Sequence, residues 1–351
     1  MDDQFKNTEI KKIYSEFRKR ARIRECFCFD KNVCKPGIIS AHSIQKSGRL
    51  SILEEKLNVN NVIFSTLNRI VDNQGILIGF EPLGKNIAST FFGFCSYHDN
   101  ELFKEIENNE FDKESDLHCF LHSYRSFAHE YHVKQEVLKG FLDNNKFTSL
   151  MPKEYINESI KGSELAIRDM DIVKKRLNNL LNDKNFSELE YFVYEIDGFY
   201  PIATSTAFSP EYSIYNKVLN KSLDANSIYE TVILTLLPGL KKTTFIFACL
   251  PENEKSLTFI DDLNNLPNQK LNRVLSSIII SYAENTFFSP SVWHKMNYIE
   301  KANFMEDIRL TNPVLRQLKN CFYNCHTNLF DDKFRKKIFL TKRKVTNLYE
   351  I

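Results

Sequence analysis

Apolar residues recur at helical spacing over long stretches of this chain. Residues 8–24 and 116–142 both carry an apolar stripe with the i, i+3, i+4, i+7 pattern of an amphipathic helix. A further helix is expected from about 153 to 181, ending near a polar boundary segment, LNDKNFSELE. The pattern therefore predicts three long helices in the first half of the chain.

Runs of apolar and β-branched residues predict strands between and after these helices. A short strand is expected at 38–44, and a hairpin is expected to turn through Asn73 and Gly75. Four more strands are expected beyond residue 184, at 191–196, 200–208, 230–237 and 244–250, before helices return from about Pro267. The pattern predicts an α+β fold with an antiparallel sheet.

These elements divide the chain into four predicted parts. They are an N-terminal basic helix (1–24), a zinc-binding module (25–112), a helical connector (113–183) and an α+β domain of unknown role (184–351). A chain of 351 residues with 42% apolar residues is long enough to form more than one core.

Charge and hydropathy narrow the classes of function. The net charge is only +2, so a nucleic-acid surface has to be local, and the N-terminal and C-terminal segments are both basic. We predict contacts with DNA or RNA, while an ordinary solvated helix face is the alternative. The residues proposed for these contacts are Arg18, Arg20, Arg22, Arg24, Arg125, Lys336 and Lys337.

The sequence lacks the motifs that are typical of several common functions. The longest apolar runs are far shorter than the roughly 18 residues that a membrane span needs, and the N-terminus has no apolar signal core. We expect a cytoplasmic protein with no membrane partner. Phosphate-binding and dinucleotide-binding glycine motifs and a G-x-S-x-G motif are missing, so nucleotide hydrolysis, dinucleotide redox chemistry and serine hydrolysis are not expected.

Half of the eight cysteines fall in the first hundred residues, where their spacing suggests a structural zinc site. Cys28 and Cys34 form one pair of ligands, and Cys95 and His98 form a C-x-x-H pair at the start of a predicted helix. Cys26 is a rival to Cys28. A knuckle, a hairpin and a helix-borne second pair are the elements of a treble clef. The alternative is a set of unconnected buried thiols and a surface histidine.

The segment from about 26 to 110 resembles the HNH, or ββα-metal, nucleases. The matching stretches are SAHSI with His42, GKNIAST with Asn86, and GFCSYHD, in which Asp99 follows the ligand His98. The resemblance implies that His42 is a general base, that Asn86 orients it, and that Asp99 helps to hold Mg²⁺ or Mn²⁺ for phosphodiester hydrolysis. A half-buried, hydrogen-bonded His42 and a helix-capping Asp99 are the structural alternatives.

A stripe of histidines lies along the predicted helix 116–142. Three roles are open for it: a metal site, a phosphate contact, or a face turned towards solvent or another domain. The stripe consists of His118, His122, Arg125, His129 and His132. Two functions remain in view, a metal-dependent endonuclease and a non-catalytic zinc module that binds nucleic acid or protein as a sensor or scaffold.

Overall fold

The structure is a computed structural model that describes most of the chain. It covers residues 2–57, 60–72, 75–143, 146–220, 225–309 and 326–336, with residues 2–11, 66–72, 75–81, 268 and 309 described by their backbone alone. Within these ranges the helices are α1 (Asp2–Ala21), α2 (Ser96–Asn108), α3 (Asp116–Leu142), α4 (Lys153–Asp183), α5 (Glu254–Asn264), α6 (Asn268–Tyr282), α7 (Pro290–Lys295) and α8 (Tyr298–Arg309). No helix there is long and apolar enough to cross a bilayer.

The strands form one large sheet and one small sheet, and every pair of neighbours is antiparallel. They are β1 (Ile38–His42), β2 (Glu55–Leu57), β3 (Asn60–Asp72), β4 (Gly75–Leu83), β5 (Thr90–Cys95), β6 (Glu190–Asp197), β7 (Ile202–Phe208), β8 (Val232–Leu237), β9 (Lys242–Cys249) and β10 (Thr286–Phe288). The large sheet has the order β2-β3-β10-β7-β8-β9-β6, with β4 also paired to β3, and β1 pairs with β5. The prediction of mixed helix and antiparallel sheet is confirmed.

Most predicted elements appear at nearly the expected positions. The three long helices form at Asp2–Ala21, Asp116–Leu142 and Lys153–Asp183. The hairpin around Asn73 is also present, because Asp72 pairs with Gly75 across β3 and β4, although residues 73 and 74 lie outside the described ranges. Helix α5 was not predicted, since the sequence placed the return of helices only at Pro267.

The N-terminal and C-terminal parts of the chain share the large sheet. Strand β3 pairs through Phe64 and Ser65 with Phe288 and Phe287 of β10, and β10 then pairs with β7. The predicted boundaries at 25–112 and 184–351 assigned these strands to separate parts. In the structure the β2–β4 segment is continuous with the C-terminal sheet.

Helix α3 is the central element of the fold. It contacts β7, β8 and β9 of the large sheet, strand β5 of the small sheet, and helices α1, α2 and α4. All of residues 118–132 are buried, so the whole histidine stripe faces the interior and no part of it forms a solvent-exposed face. The first helix packs on α3 at Gly140, where an added Cβ would lie only 2.5 Å from the ring of Phe17.

A buried polar network joins the segment after β1 to the large sheet. Asn285 Nδ2 donates to Ser43 Oγ at 2.8 Å and to Ser205 Oγ at 2.6 Å, and Ser205 Oγ donates to Ser43 Oγ at 2.8 Å. Each of the three residues is at most 3% exposed. A buried network of this kind is stabilising only while every member keeps its partners.

We expect Asn285→Ala to lower the free energy of unfolding by roughly 2 kcal/mol, because two buried hydroxyls lose a shared donor. Urea denaturation measures the change. The exposed Asn100, substituted by alanine, is the control and should change stability by no more than about 0.5 kcal/mol. Equal effects in the two variants would contradict the importance of the network.

Candidate metal centre

Four side chains that are distant in sequence converge beside the small sheet. The ligand atoms of Cys26, Cys34, Cys95 and His98 all lie within 4.8 Å of one another. The three sulfur atoms lie 3.3, 3.5 and 3.3 Å from the same nitrogen, Nδ1 of His98. Cys34 is partly exposed, and the other three residues are buried.

This convergence fits a shared cation better than hydrogen bonding. A single imidazole nitrogen carries one proton or one lone pair, so it can satisfy only one of three surrounding sulfurs. A tetrahedral metal ion with bonds of about 2.3 Å to sulfur and 2.0–2.1 Å to nitrogen would hold each sulfur about 3.5 Å from the nitrogen. The cluster therefore could bind a metal ion through three cysteines and one histidine.

Strand β5 and helix α2 supply two of the ligands from one continuous segment. Cys95 ends β5 and is the N-cap of α2, where its sulfur accepts a hydrogen bond from the backbone N–H of His98 at 3.5 Å. Helix α2 begins at Ser96, so this pair lies at the start of the helix as predicted. The helix N-terminus favours negative charge on the cysteine.

The electrostatic environment of Cys95 also suits a metal ligand. Burial raises its pKa, but hydrogen bonds from the backbone N–H groups of His98 and Lys35 and from the thiols of Cys34 and Cys26 together outweigh that effect. The pKa of Cys95 consequently lies below its usual value. Metal binding requires deprotonated thiols, so this cysteine is favourably prepared for it.

The other two ligands come from the knuckle before β1. The backbone N–H of Phe27 donates to Gly93 O at 2.7 Å, which holds this segment against the edge of β5 opposite β1. A short 3₁₀ turn, Lys31–Val33, then brings Cys34 back towards Cys26. The carboxylate of Asp30 caps this turn by accepting from the N–H of Asn32.

Cys26, and not the predicted Cys28, completes the cluster. The chain bends at 28–29, immediately after the segment that pairs with β5. Cys28 is buried and lies beside Tyr124 of α3, whose pKa is raised by burial first and also by the thiols of Cys28 and Cys26. Both cysteines are near the centre, but only Cys26 belongs to the group that could hold the ion.

His42 lies half-buried at the end of β1 that pairs with Thr90, whereas Cys95 pairs with the start of β1 at Ile38. Nδ1 of His42 is 2.9 Å from the carbonyl oxygen of Ala88 and 3.3 Å from Ser89 Oγ. The carbonyl can only accept, so Nδ1 carries the proton and Nε2 keeps a free lone pair. Burial lowers the pKa of His42, with Lys46 and Arg125 acting in the same direction.

Asp99 lies in the first turn of α2, and it is partly buried. Burial raises its pKa, while Arg125 lowers it and Glu107 raises it. Its Oδ1 atom is buried and has no hydrogen-bond partner among the described residues. Asp99 is not the helix cap that the alternative interpretation required, since Cys95 holds that position.

Arg125 of α3 connects these groups electrostatically. Its Nη1 donates to Glu107 Oε1 at 2.6 Å, and its guanidinium lies 3.9 Å from the centre of the Phe103 ring. Asp99, Phe103 and Glu107 are spaced four residues apart, so they follow one face of α2. The charges of Arg125 and Glu107 act on both His42 and Asp99.

Glu107 is the residue that sequence reasoning missed at this site. The available signal was its position on α2, two turns after Asp99 on the same face. Arg125 had been proposed to contact nucleic acid, but it is only 3% exposed and is paired with the partly exposed Glu107.

We expect Glu107→Ala to lower the free energy of unfolding by roughly 3 kcal/mol, because it leaves the buried Arg125 charge without its ion pair. The control is Glu105→Ala on the same helix, where the carboxylate is about half exposed and is 3.4 Å from His118 Nε2. Chemical denaturation compares the two. Similar losses would show that the ion pair of Arg125 is unimportant for stability.

The remaining predicted residues lie in different environments or outside the described part of the chain. Asn86 is exposed in the turn between β4 and β5, and the neighbouring Ala88 and Ser89 contact His42 in its place. Lys336 is paired with Glu55 at 2.6 Å and is half-buried, while Lys337 lies outside the described residues.

The N-terminal arginines form an exposed basic surface beside β5. The guanidinium groups of Arg22 and Arg24 lie 4.9 and 4.1 Å from the centre of the Phe92 ring. Arg20 is 3.7 Å from the carboxylate of Asp143, and Arg18 is exposed on α1. Phe92 belongs to β5, the strand that ends at Cys95.

In comparisons with known proteins, no family model, no curated protein and no solved structure matches the chain.

Proposed function

We propose that this chain is a zinc-stabilised, metal-dependent nuclease of the HNH type. The observation that carries the proposal is His42, whose protonated Nδ1 is held by the Ala88 carbonyl so that Nε2 is free to accept a proton. The residue stands at the end of β1, where it pairs with Thr90 of β5, and Cys95 of the Cys26, Cys34, Cys95 and His98 cluster pairs with Ile38 at the other end of the same two strands.

Zinc is the proposed occupant of the cluster. Three cysteines and one imidazole form a ligand set typical of structural zinc, and four protein ligands leave no open position for substrate. The knuckle at Cys26–Cys34, the β1–β5 pair and α2 would supply the parts of a treble clef, with the β1–β5 pair in place of the predicted hairpin. In this proposal zinc stabilises the fold of this segment, and neighbouring residues catalyse the reaction.

His42 would act as the general base on the attacking water. Hydrogen bonding at Nδ1 fixes both the tautomer and the ring orientation, so that Nε2 is the atom that accepts the proton. Asp99 would help to hold Mg²⁺ or Mn²⁺, since a carboxylate suits a hard cation and its Oδ1 has no protein partner in the described chain. The bound ion would stabilise charge on the leaving oxygen.

A nucleic-acid substrate fits the charge distribution nearby. Arg18, Arg20, Arg22 and Arg24 are exposed along α1 and the segment that follows it. The arginine and aromatic contacts at Phe92 resemble surfaces that track a phosphate backbone. Arg125 would serve a different purpose, because its buried charge orders the groups around His42 and Asp99.

The test is cleavage of supercoiled plasmid and of single-stranded RNA by the purified chain with Mg²⁺ or Mn²⁺. We expect metal-dependent cleavage of at least one substrate that stops when EDTA is added. A protein that contains zinc and is folded, yet cleaves neither substrate with either ion, would contradict the nuclease proposal.

The second candidate is a non-catalytic module that binds nucleic acid. The exposed arginines favour it independently of His42, since their charge requires no reaction. Such a module should bind DNA or RNA with an affinity that falls steeply as salt increases, and it should release the nucleic acid uncut. Fluorescence anisotropy at two salt concentrations, followed by electrophoresis of the ligand, separates the two functions.

A further inference from the structure

A lysine in the turn that follows β1 lies close to His42. The backbone bends directly after His42, and a single turn of π-helix, Lys46–Leu50, follows. Lys46 is four residues from His42, a separation of at most roughly 14 Å even in an extended chain. Burial is the main cause that lowers the pKa of His42, and the charge of Lys46 adds to it more strongly than that of Arg125.

The turn is held in place by the residues around Lys46. Gln45 Nε2 donates to the carbonyl oxygen of Glu107 at 2.8 Å, which ties the start of the turn to the end of α2. Gly48 packs on the same glutamine so closely that an added Cβ would collide with its amide oxygen. Leu50 is fully buried at the other end of the turn. The backbone that carries Lys46 is thus fixed from both sides.

The ammonium group of Lys46 has no partner in the described part of the chain. The residue is half-buried, and no described residue forms a hydrogen bond or an ion pair with it. Two other half-buried lysines, Lys85 and Lys336, are paired with the carboxylates of Glu54 and Glu55 at 2.8 and 2.6 Å. Lys46 differs from them in keeping its charge available for a ligand.

Two buried polar atoms near His42 also lack a hydrogen-bond partner among the described residues. They are the acceptor Oδ1 of Asp99 and the donor Nε of Arg125, and solvent or a ligand ordinarily satisfies such atoms. Arg125 is otherwise paired with Glu107 at 2.6 Å. A divalent ion at Asp99 would neutralise that carboxylate, so Lys46 is the positive charge left for a phosphate.

We propose that the ammonium group of Lys46 binds a non-bridging oxygen of the scissile phosphate, an inference that rests on the proposed nuclease function. Nε2 of His42 accepts a proton from the attacking water, whose oxygen forms a bond to phosphorus. The bond to the leaving oxygen breaks, and that oxygen departs with the electron pair. Negative charge grows on the non-bridging oxygens during this step, so a positive donor stabilises the transition state more than the substrate.

The experiment is single-turnover cleavage of a labelled oligonucleotide by the full chain. Lys46→Met removes the charge and keeps an unbranched apolar side chain. It should lower the rate at saturating enzyme by roughly 10²–10³-fold, the usual loss when one donor to a transition-state oxyanion is removed. Lys46→Arg keeps the charge and should lose less. The exposed Lys104, substituted by alanine, is the matched control and should cleave at the wild-type rate.

Sulfur substitution at the scissile phosphate identifies the contact. In one of the two phosphorothioate diastereomers, sulfur replaces the oxygen that Lys46 binds, and this substrate should slow the wild type. It should add no further loss in Lys46→Met, because the contact is already absent. A purely structural role of Lys46 predicts the same effect of sulfur in both proteins. Zinc content and thermal unfolding show that each variant is folded.

Three outcomes would count against the inference. A wild-type rate in folded Lys46→Met, or equal effects of sulfur in the two proteins, would overturn the role of Lys46 and leave the nuclease proposal standing. Weaker binding of the oligonucleotide with an unchanged rate at saturation would mean that Lys46 only attracts nucleic acid. Absence of cleavage by the wild type would overturn the proposed function, and this inference with it.

Discussion

Replacing Cys26 by serine is expected to release the metal ion from the purified protein, whereas Cys28→Ser is expected to retain it. The Cys26 sulfur lies 3.3 Å from His98 Nδ1 with the other ligands around it, while Cys28 lies beside Tyr124. A structural zinc contributes roughly 10–16 kcal/mol in apparent terms to small zinc domains. This contribution is as large as the total free energy of unfolding of many proteins, which is about 5–15 kcal/mol.

Metal content by mass spectrometry and thermal unfolding measure the two effects. Wild type and Cys28→Ser should each contain one zinc per chain, and the serine at 28 should cost only about 1 kcal/mol, the usual cost of a point substitution. Cys26→Ser should lose both the zinc and most of its cooperative unfolding transition. Loss of the metal from Cys28→Ser, with zinc kept in Cys26→Ser, would exchange the roles of the two residues.

His42→Ala is expected to lower the rate of phosphodiester cleavage by roughly 10²–10⁴-fold, the usual contribution of a positioned general base. The variant should still contain zinc, since none of the four ligands contacts the His42 ring through a described hydrogen bond. Single-turnover cleavage of a labelled oligonucleotide gives the rate. The zinc content of the same sample shows that the fold around the metal centre is intact.

The exposed His294 on α7 provides the control for this experiment. His294→Ala should cleave at the wild-type rate. If His42→Ala cleaves as fast as His294→Ala, His42 is not the base, although zinc could still stabilise the fold. If the wild type, His42→Ala and His294→Ala are all inactive, a non-catalytic binding module describes the protein better than a nuclease.

The pH dependence of cleavage follows from the environment of His42. Burial lowers its pKa from the usual value of about 6.5, and the positive charges of Lys46 and Arg125 act in the same direction. Nε2 therefore stays unprotonated to a lower pH than in a free histidine. We expect the acid limb of the pH–rate profile to lie below about 6.5, and a limb well above 7 would contradict the assigned role.

The helical half of the fold was predictable because its signals are local. The stripes at 8–24 and 116–142 repeat over several turns, and tertiary contacts did not have to override them. The hairpin of β3 and β4 was similarly visible in a short polar turn between apolar runs. The local pattern could not show that β3 pairs with β10, which lies more than two hundred residues later in the chain.

The metal centre was predictable in composition but not in every ligand. Cys34, Cys95 and His98 follow from spacing, but Cys26 and Cys28 are distinguished by a bend, because Cys26 precedes it and Cys28 lies within it. That choice depends on the pairing of Phe27 with Gly93, which is a tertiary contact. The burial of Arg125 was likewise invisible, because a basic residue in a helix is usually exposed.

The pairing of β3 with β10 has a consequence for how the chain folds during synthesis. The ligands of the metal centre all lie within the first 98 residues, so this cluster can close while translation continues. The edge of β3 that pairs with Phe287 and Phe288 must wait until those residues have been synthesised and have left the ribosome. An unpaired edge is prone to wrong association during that interval. Early capture of the metal would keep the nascent N-terminal segment compact until its last strand arrives.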